Sequence, residues 1–174
     1  SAAGALIHYL HETQKSALDH INSISPFYTH DYMALDQSTV TSLELIQSSE
    51  GTRKNSLLNL LDESCTPMGA RRIREWIIKP LIDSEKIKAR LEIVSIFKSL
   101  PLDRQETRNL LKNIFDLERL LGKITLSVCN ARDLVSLKNS IGTFPDLYKA
   151  LEKCEPRRLS CFPGTWDNLG NLYD

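Results

Sequence analysis

The chain has 174 residues, 41% hydrophobic and 25% charged, with 22 Lys and Arg against 22 Asp and Glu and a pI near 6.9. That length suits one domain with at most an appended element, and zero net charge excludes a global pull toward nucleic acid or an anionic membrane. No stretch approaches the run of about 18 apolar residues that a membrane span needs, and no basic, then apolar, opening suggests a secretory leader.

The chain starts with Ser1, not Met, so a processed or excised piece is expected. Aromatic residues are only 7%, which leaves most core packing to Leu and Ile. Cys65, Cys129, Cys154 and Cys161 are widely spaced without a Cys-x-x-Cys pair, as expected of reduced structural thiols in a cytoplasmic protein.

A first helix is predicted from Ala2 to about Ser16, with Leu6, Tyr9, Leu10 and Thr13 on one side. His8 and His11 lie three apart on it, but no third ligand with suitable spacing follows, so they read as ordinary histidines. From Leu18 to Asp36 the helical period fails. Pro26 breaks it, and Tyr32–Asp36 alternates as a short strand or extended crossing would. Asp36 reads as an N-cap for a helix carrying Val40, Leu43, Ile46 and Gln47. Ser48–Asn55 is a predicted loop pivoting on Gly51. Ser56 caps a short helix with Leu57, Leu60 and Leu61 pointing one way.

Thr66 and Pro67 then write the start of a helix, and Pro80 its end. Gly69, Ile73, Trp76 and Ile77 share a face, which predicts a buried Trp76 acting as a packing hub. Asp83 caps the longest helix, with Glu85 in its first turn and a stripe of Ile87, Leu91, Val94 and Phe97. Pro101 stops it. Further helices are predicted over Arg104–Asn113 and Phe115–Ile124, the latter capped by Asp116. Asn130 caps another, with Asp133 completing a capping-box-like start. Pro145 ends that helix and opens one running to about Cys154. The tail reads as irregular, with a short helix from Thr165. The sum is an all-α fold: an irregular array of seven or eight helices with at most one short extended segment.

Chemistry is sparse. The sequence has no phosphate-cradling Gly-x-x-x-x-Gly-Lys-Ser/Thr loop, no Gly-x-Gly-x-x-Gly, no Gly-x-Ser-x-Gly elbow and no His-Glu-x-x-His. Asp116 and Glu118 read as helix-start residues, not as paired catalytic acids. No catalytic, cofactor-binding or metal-ligating residue is predicted. Basic clusters occur at Arg53–Lys54, Arg71–Arg72–Arg74 and Arg157–Arg158. They are small, scattered and not interleaved with aromatics, so solvated faces are expected, with Arg71 pairing a carboxylate. Met68, Trp76 and Phe97 read as core, not as the lining of a ligand pocket.

Leu57, Leu61 and Asp62, then Thr66, Gly69 and Arg71, then Trp76, Pro80 and Leu81, form a long pattern: Leu-x-x-x-Leu-Asp, Thr-x-x-Gly-x-Arg, Trp-x-x-x-Pro-Leu. It resembles the core of the MutS family of DNA mismatch-repair proteins. DYMALDQSTVTSLEL is similar to the segment that opens that core, with Ser42 where the family commonly has Asn. DLERLLGKI and NARDLVSLKNSI match later family patterns. The resemblance implies that residues 1–17 are a helix leaving the connector domain. Residues 18–174 would be the first part of the core, or lever, domain, ending near the clamp insertion. It further implies a structural lever coupling the ATPase and DNA-clamp regions of a full-length, DNA-dependent ATPase. That protein would use ATP and Mg and bind mismatched double-stranded DNA through other domains. It would pair as a homodimer and meet a MutL-type partner. The fragment itself would be no enzyme and would hold no cofactor. The rival reading is an independent helical DNA-binding or protein-interaction module.

Overall fold

A computed structural model describes residues 2–13 and 31–154. Among these residues the chain forms nine α-helices: α1 (Ala2–Thr13), α2 (Gln37–Ser42), α3 (Leu57–Leu61), α4 (Pro67–Ile78), α5 (Ser84–Ser99), α6 (Pro101–Leu111), α7 (Leu117–Thr125), α8 (Ala131–Gly142) and α9 (Phe144–Cys154). No sheet forms among them. The fold is an all-α array. The readings made for Leu18–His30, Arg157–Arg158, Cys161 and the helix from Thr165 lie outside the described residues.

The helix starts are set by side chains that satisfy free first-turn amides. Asp36 accepts from Thr39 N at 2.7 Å, Ser56 Oγ from Asn59 N at 3.1 Å, and Thr66 Oγ1 from Gly69 N at 3.0 Å. Asp83 accepts from Glu85 N, and Asp116 from Arg119 N. Asn130 and Asp133 exchange both bonds of a capping box, at 2.9 and 3.1 Å. α6 begins at Pro101, three residues before the predicted Arg104. A proline that ends one helix is already preset for the first turn of the next.

The extended crossing is present. Tyr32 and Leu81 form an isolated antiparallel bridge, and Met33 N donates to Pro80 O at 2.8 Å. This binds the segment before α2 to the end of α4.

α2 is shorter than its apolar spacing suggested. It stops at Ser42 because Glu44 takes a left-handed backbone, φ 50°, and turns the chain away. The turn is held twice. Glu44 Oε1 accepts from Ser49 N at 2.5 Å, and Glu44 O accepts from Leu57 N at 3.0 Å. The buried residue here is Leu45, and Leu43 is exposed. On α3 the interior face is likewise the other one. Leu58 is 5% exposed, whereas Leu60, on the face grouped by spacing with Leu57 and Leu61, is 75% exposed.

The largest correction concerns the hub. Trp76 is 43% exposed, and neither α4 nor α5 holds a fully buried residue. The α5 stripe is open at Leu91 and Val94, both about 60% exposed. Apolar spacing identifies a face but not how fully another element covers it, and these side chains are only partly covered among the described residues. The packed interior lies in the later helices instead. α6 lies against α9, α7 against α8, and α8 against α9. Ile114, Leu120, Leu147 and Ala150 are buried there, together with Thr107 and Ser140.

Candidate functional site

The most strongly connected polar site is the junction of α4 with the start of α7. It is built on two helix beginnings. Gly69 makes the first compact: a Cβ there would stand 3.1 Å from the capping Thr66 Oγ1 and 3.4 Å from Ser64 Cβ. A side chain at this third helical position would push the capping hydroxyl aside by a few tenths of an ångström. Two residues on, Arg71 projects toward the N-cap of α7.

Arg71 Nη1 and Nη2 donate to Asp116 Oδ2 and Oδ1, both at 2.7 Å. Nε and Nη2 also donate to Glu118 Oε2, at 3.1 and 2.6 Å. One guanidinium thus spans two carboxylates, using the planar fork that lysine lacks. Arg71's hydrogen bonds hold the Asp116 carboxyl below its ordinary range, and Asp116, then Glu118, raise the guanidinium pKa further. Asp116 still caps α7, so one side chain starts a helix and anchors another.

The entry to α4 is tied down similarly. The Asp62 carboxylate accepts from Ser64 N at 3.1 Å and pairs with Arg53. Ser64, with Arg53, holds its pKa down against the opposing effect of burial. Arg108 Nη1, from α6, donates to Glu63 O at 3.0 Å. On the far side of α4, the Arg90 guanidinium of α5 lies 4.0 Å from the centroid of the Trp76 ring. Loop 62–66 and α4 are therefore fastened to α5, α6 and α7 by three arginines.

These pairings decide the reading of the basic clusters. Arg53 and Arg71 are matched to carboxylates, Arg72 Nη1 bonds Glu75 Oε2 at 2.8 Å, and Lys79 Nζ lies 4.0 Å from Glu75 Oε1. The expected Arg71–carboxylate pair is present, and its partners come from 45 and 47 residues away. Glu75, on the same helix as Arg71, faces Arg72 and Lys79 instead. Met68 and Phe97 are half-buried.

His8 Nε2 lies 3.4 Å from Glu12 Oε1, while the His11 side chain falls outside the described residues. Cys65, Cys129 and Cys154 carry free thiols. Among the described residues no three His, Cys, Asp or Glu side chains gather as a metal site would require, and no helix is long and apolar enough to cross a membrane. The sequence has no phosphate loop, and Asp62 and Asp116 are committed to arginines. Sequence reasoning missed the Arg90–Trp76 stack and a cavity beside Arg74. Neither has a short-range signature, because each joins segments distant in the chain.

The family model described as MutS domain III matches residues 38–163. The chain is 45% identical over 172 residues to the DNA mismatch repair protein MutS of Halothermothrix orenii, covering 98% of this chain and 19% of that protein. It is 47% identical over 174 residues to the protein of the same description from Alkaliphilus metalliredigens, covering 99% and 20%. With that of Symbiobacterium thermophilum the figures are 40% over 175 residues, 100% and 20%. The chain spans about a fifth of the length of the curated relatives it matches.

Proposed function

This chain belongs to the MutS family, and we propose that it serves DNA mismatch repair as the first part of a lever that couples an ATPase region to a DNA-clamping region. In this reading residues 1–17 leave a connector domain and residues 18–174 open the core. ATP, Mg, mismatched duplex DNA, a second copy of the whole protein and a MutL-type partner all engage other parts of that protein, in the cytoplasm.

The observation that supports a lever is the Arg71 fork. A lever transmits displacement only if its helices move together, and coupling needs a contiguous, stiff connection. Arg71 joins the start of α4 to the start of α7 across 45 residues of chain, and Arg108 and Arg90 add ties to α6 and α5. The centre of stiffness is this clasp together with the α6–α9 packing, not the Trp76 face. The rival reading, a DNA-binding module, is disfavoured because Arg53, Arg71 and Arg72 are already paired within the chain.

The test uses the full-length protein that contains this segment. Arg71→Gln should leave mismatch binding without nucleotide nearly intact but slow or abolish ATP-induced release from mismatched DNA. Unchanged release by a folded Arg71→Gln protein overturns the lever assignment. Salt-sensitive duplex binding by the 174-residue chain alone would favour the rival.

A further inference from the structure

α5 ends and α6 begins at a single residue. Leu100 is the C-cap of one and the N-cap of the other, with φ −115° and ψ 71°. Pro101 keeps it out of the helix, because a proline ring disfavours helical geometry at the residue before it. The same proline has no N–H. Phe97 O therefore lacks the donor that a continuous helix would supply four residues on. The Arg104 guanidinium takes that place: its Nη1 donates to Phe97 O at 3.0 Å, from α6 back to α5. Among the described residues no backbone N–H of α6 reaches a carbonyl of α5, and no side chain caps the start of α6.

The two helices are held differently. α6 packs against α9, buries Thr107 and sends Arg108 to Glu63 O. α5 buries no residue fully, and its Leu91 and Val94 stay largely exposed. Its Arg90 lies 4.0 Å from the Trp76 centroid, in a contact that persists out to about 6 Å and so permits small displacements. A segment with few buried apolar contacts moves at low cost, and hinges sit at element ends that absorb a change in φ and ψ. We propose that Leu100 is a hinge on which α5 swings as a rod against the α6–α9 body, with the Arg104–Phe97 hydrogen bond as the latch that sets its angle. That bond is exposed, so water can replace either partner and opening strands no buried group. With 16 residues α5 is about 24 Å long, and a turn of about 10° at Leu100 moves its Ser84 end by about 4 Å. The proposal concerns motion within this chain and does not rest on the lever reading.

The experiment measures N–H residual dipolar couplings of the nitrogen-15-labelled chain, aligned in a stretched gel, for the parent and for Arg104→Gln. In the parent the latch holds α5 to the alignment of α6–α9. In Arg104→Gln the α5 couplings should shrink together along the whole helix, a loss of alignment order, while those of α6–α9 stay unchanged and show the fold to be intact. An α5 that keeps the body's alignment and order in Arg104→Gln overturns the hinge. Equal shrinkage in parent and variant overturns the latch. Shrinkage that deepens steadily toward Ser84, as in a fraying helix, overturns the rod-like swing.

Discussion

Arg71 and Asp116 meet in a two-pronged pair, each guanidinium nitrogen 2.7 Å from its own carboxylate oxygen, across 45 residues of chain. The Asp116 side chain is mostly buried, whereas Glu118, on the same guanidinium, stands in water. Water screens the second pair far more than the first. A double-mutant cycle by urea unfolding should therefore give a larger coupling for Arg71→Gln with Asp116→Asn than for Arg71→Gln with Glu118→Gln. Asp116→Asn keeps an oxygen for Arg119 N. Asp116→Ala loses the cap as well, for about 1 kcal/mol more. Equal couplings would show the fork to be a surface ornament.

Acid should loosen the same junction. Asp116, through Arg71, and Asp62, through Ser64 and Arg53, both titrate below their ordinary range in the fold. The unfolded chain then takes up protons first as pH falls, beginning near the ordinary carboxylate value of about 3.9. The stabilisation is fully present above that value and is lost as pH drops through the lower folded values. Urea midpoints should be flat from pH 7 to about 5 and fall steeply below about 4. The fall should be shallower in Arg71→Gln. An identical acid profile in that variant would detach the fork from the effect.

Local chemistry was legible and burial was not. Asp36, Ser56, Thr66, Asp83, Asp116 and Asn130 cap as read, because a cap is a bond between near neighbours. The buried reading of Trp76 fails, and the exposure of Leu60 and Leu91 is not legible, because spacing groups side chains without naming a partner element. The shortened α2 has a different cause. Its apolar spacing continues past Ser42, but two acceptances by Glu44, from Ser49 N and Leu57 N, stabilise a left-handed turn there. At the clasp, Arg71 was read as needing a carboxylate, and only the fold identifies which.

Trp76 carries a revised expectation. A fully buried Trp truncated to Ala would lose about 3–5 kcal/mol. Half-exposed, with Arg90 stacked on one face, it should lose about 1–2 kcal/mol, of which the stack supplies about 0.5–1. Trp76→Phe should retain most of it, and Arg90→Ala should add little once Trp76 is gone. A loss above about 4 kcal/mol by guanidinium unfolding would place Trp76 back in a packed core.

Two buried hydroxyls make opposite predictions. Ser140 is fully buried; its Oγ donates to Ser136 O at 2.8 Å and accepts from Phe115 N at 3.0 Å. It thereby ties α8 to the turn before α7. Ser140→Ala strands the Phe115 N–H where water has little access, and should destabilise by about 1–3 kcal/mol. Thr107, 6% exposed on α6, has an Oγ1 with no partner among the described residues. On folding its hydroxyl gave up water and gained no partner among the described residues. Thr107→Val keeps the branched shape and removes that penalty, so it should stabilise by about 1 kcal/mol and raise Tm by about 2–4 °C. The contrast separates burial from bonding: both positions are small, polar and interior, yet only the unpartnered one should gain from becoming apolar. A Thr107→Val chain that melts lower than the parent would mean that this hydroxyl does have a bonding partner.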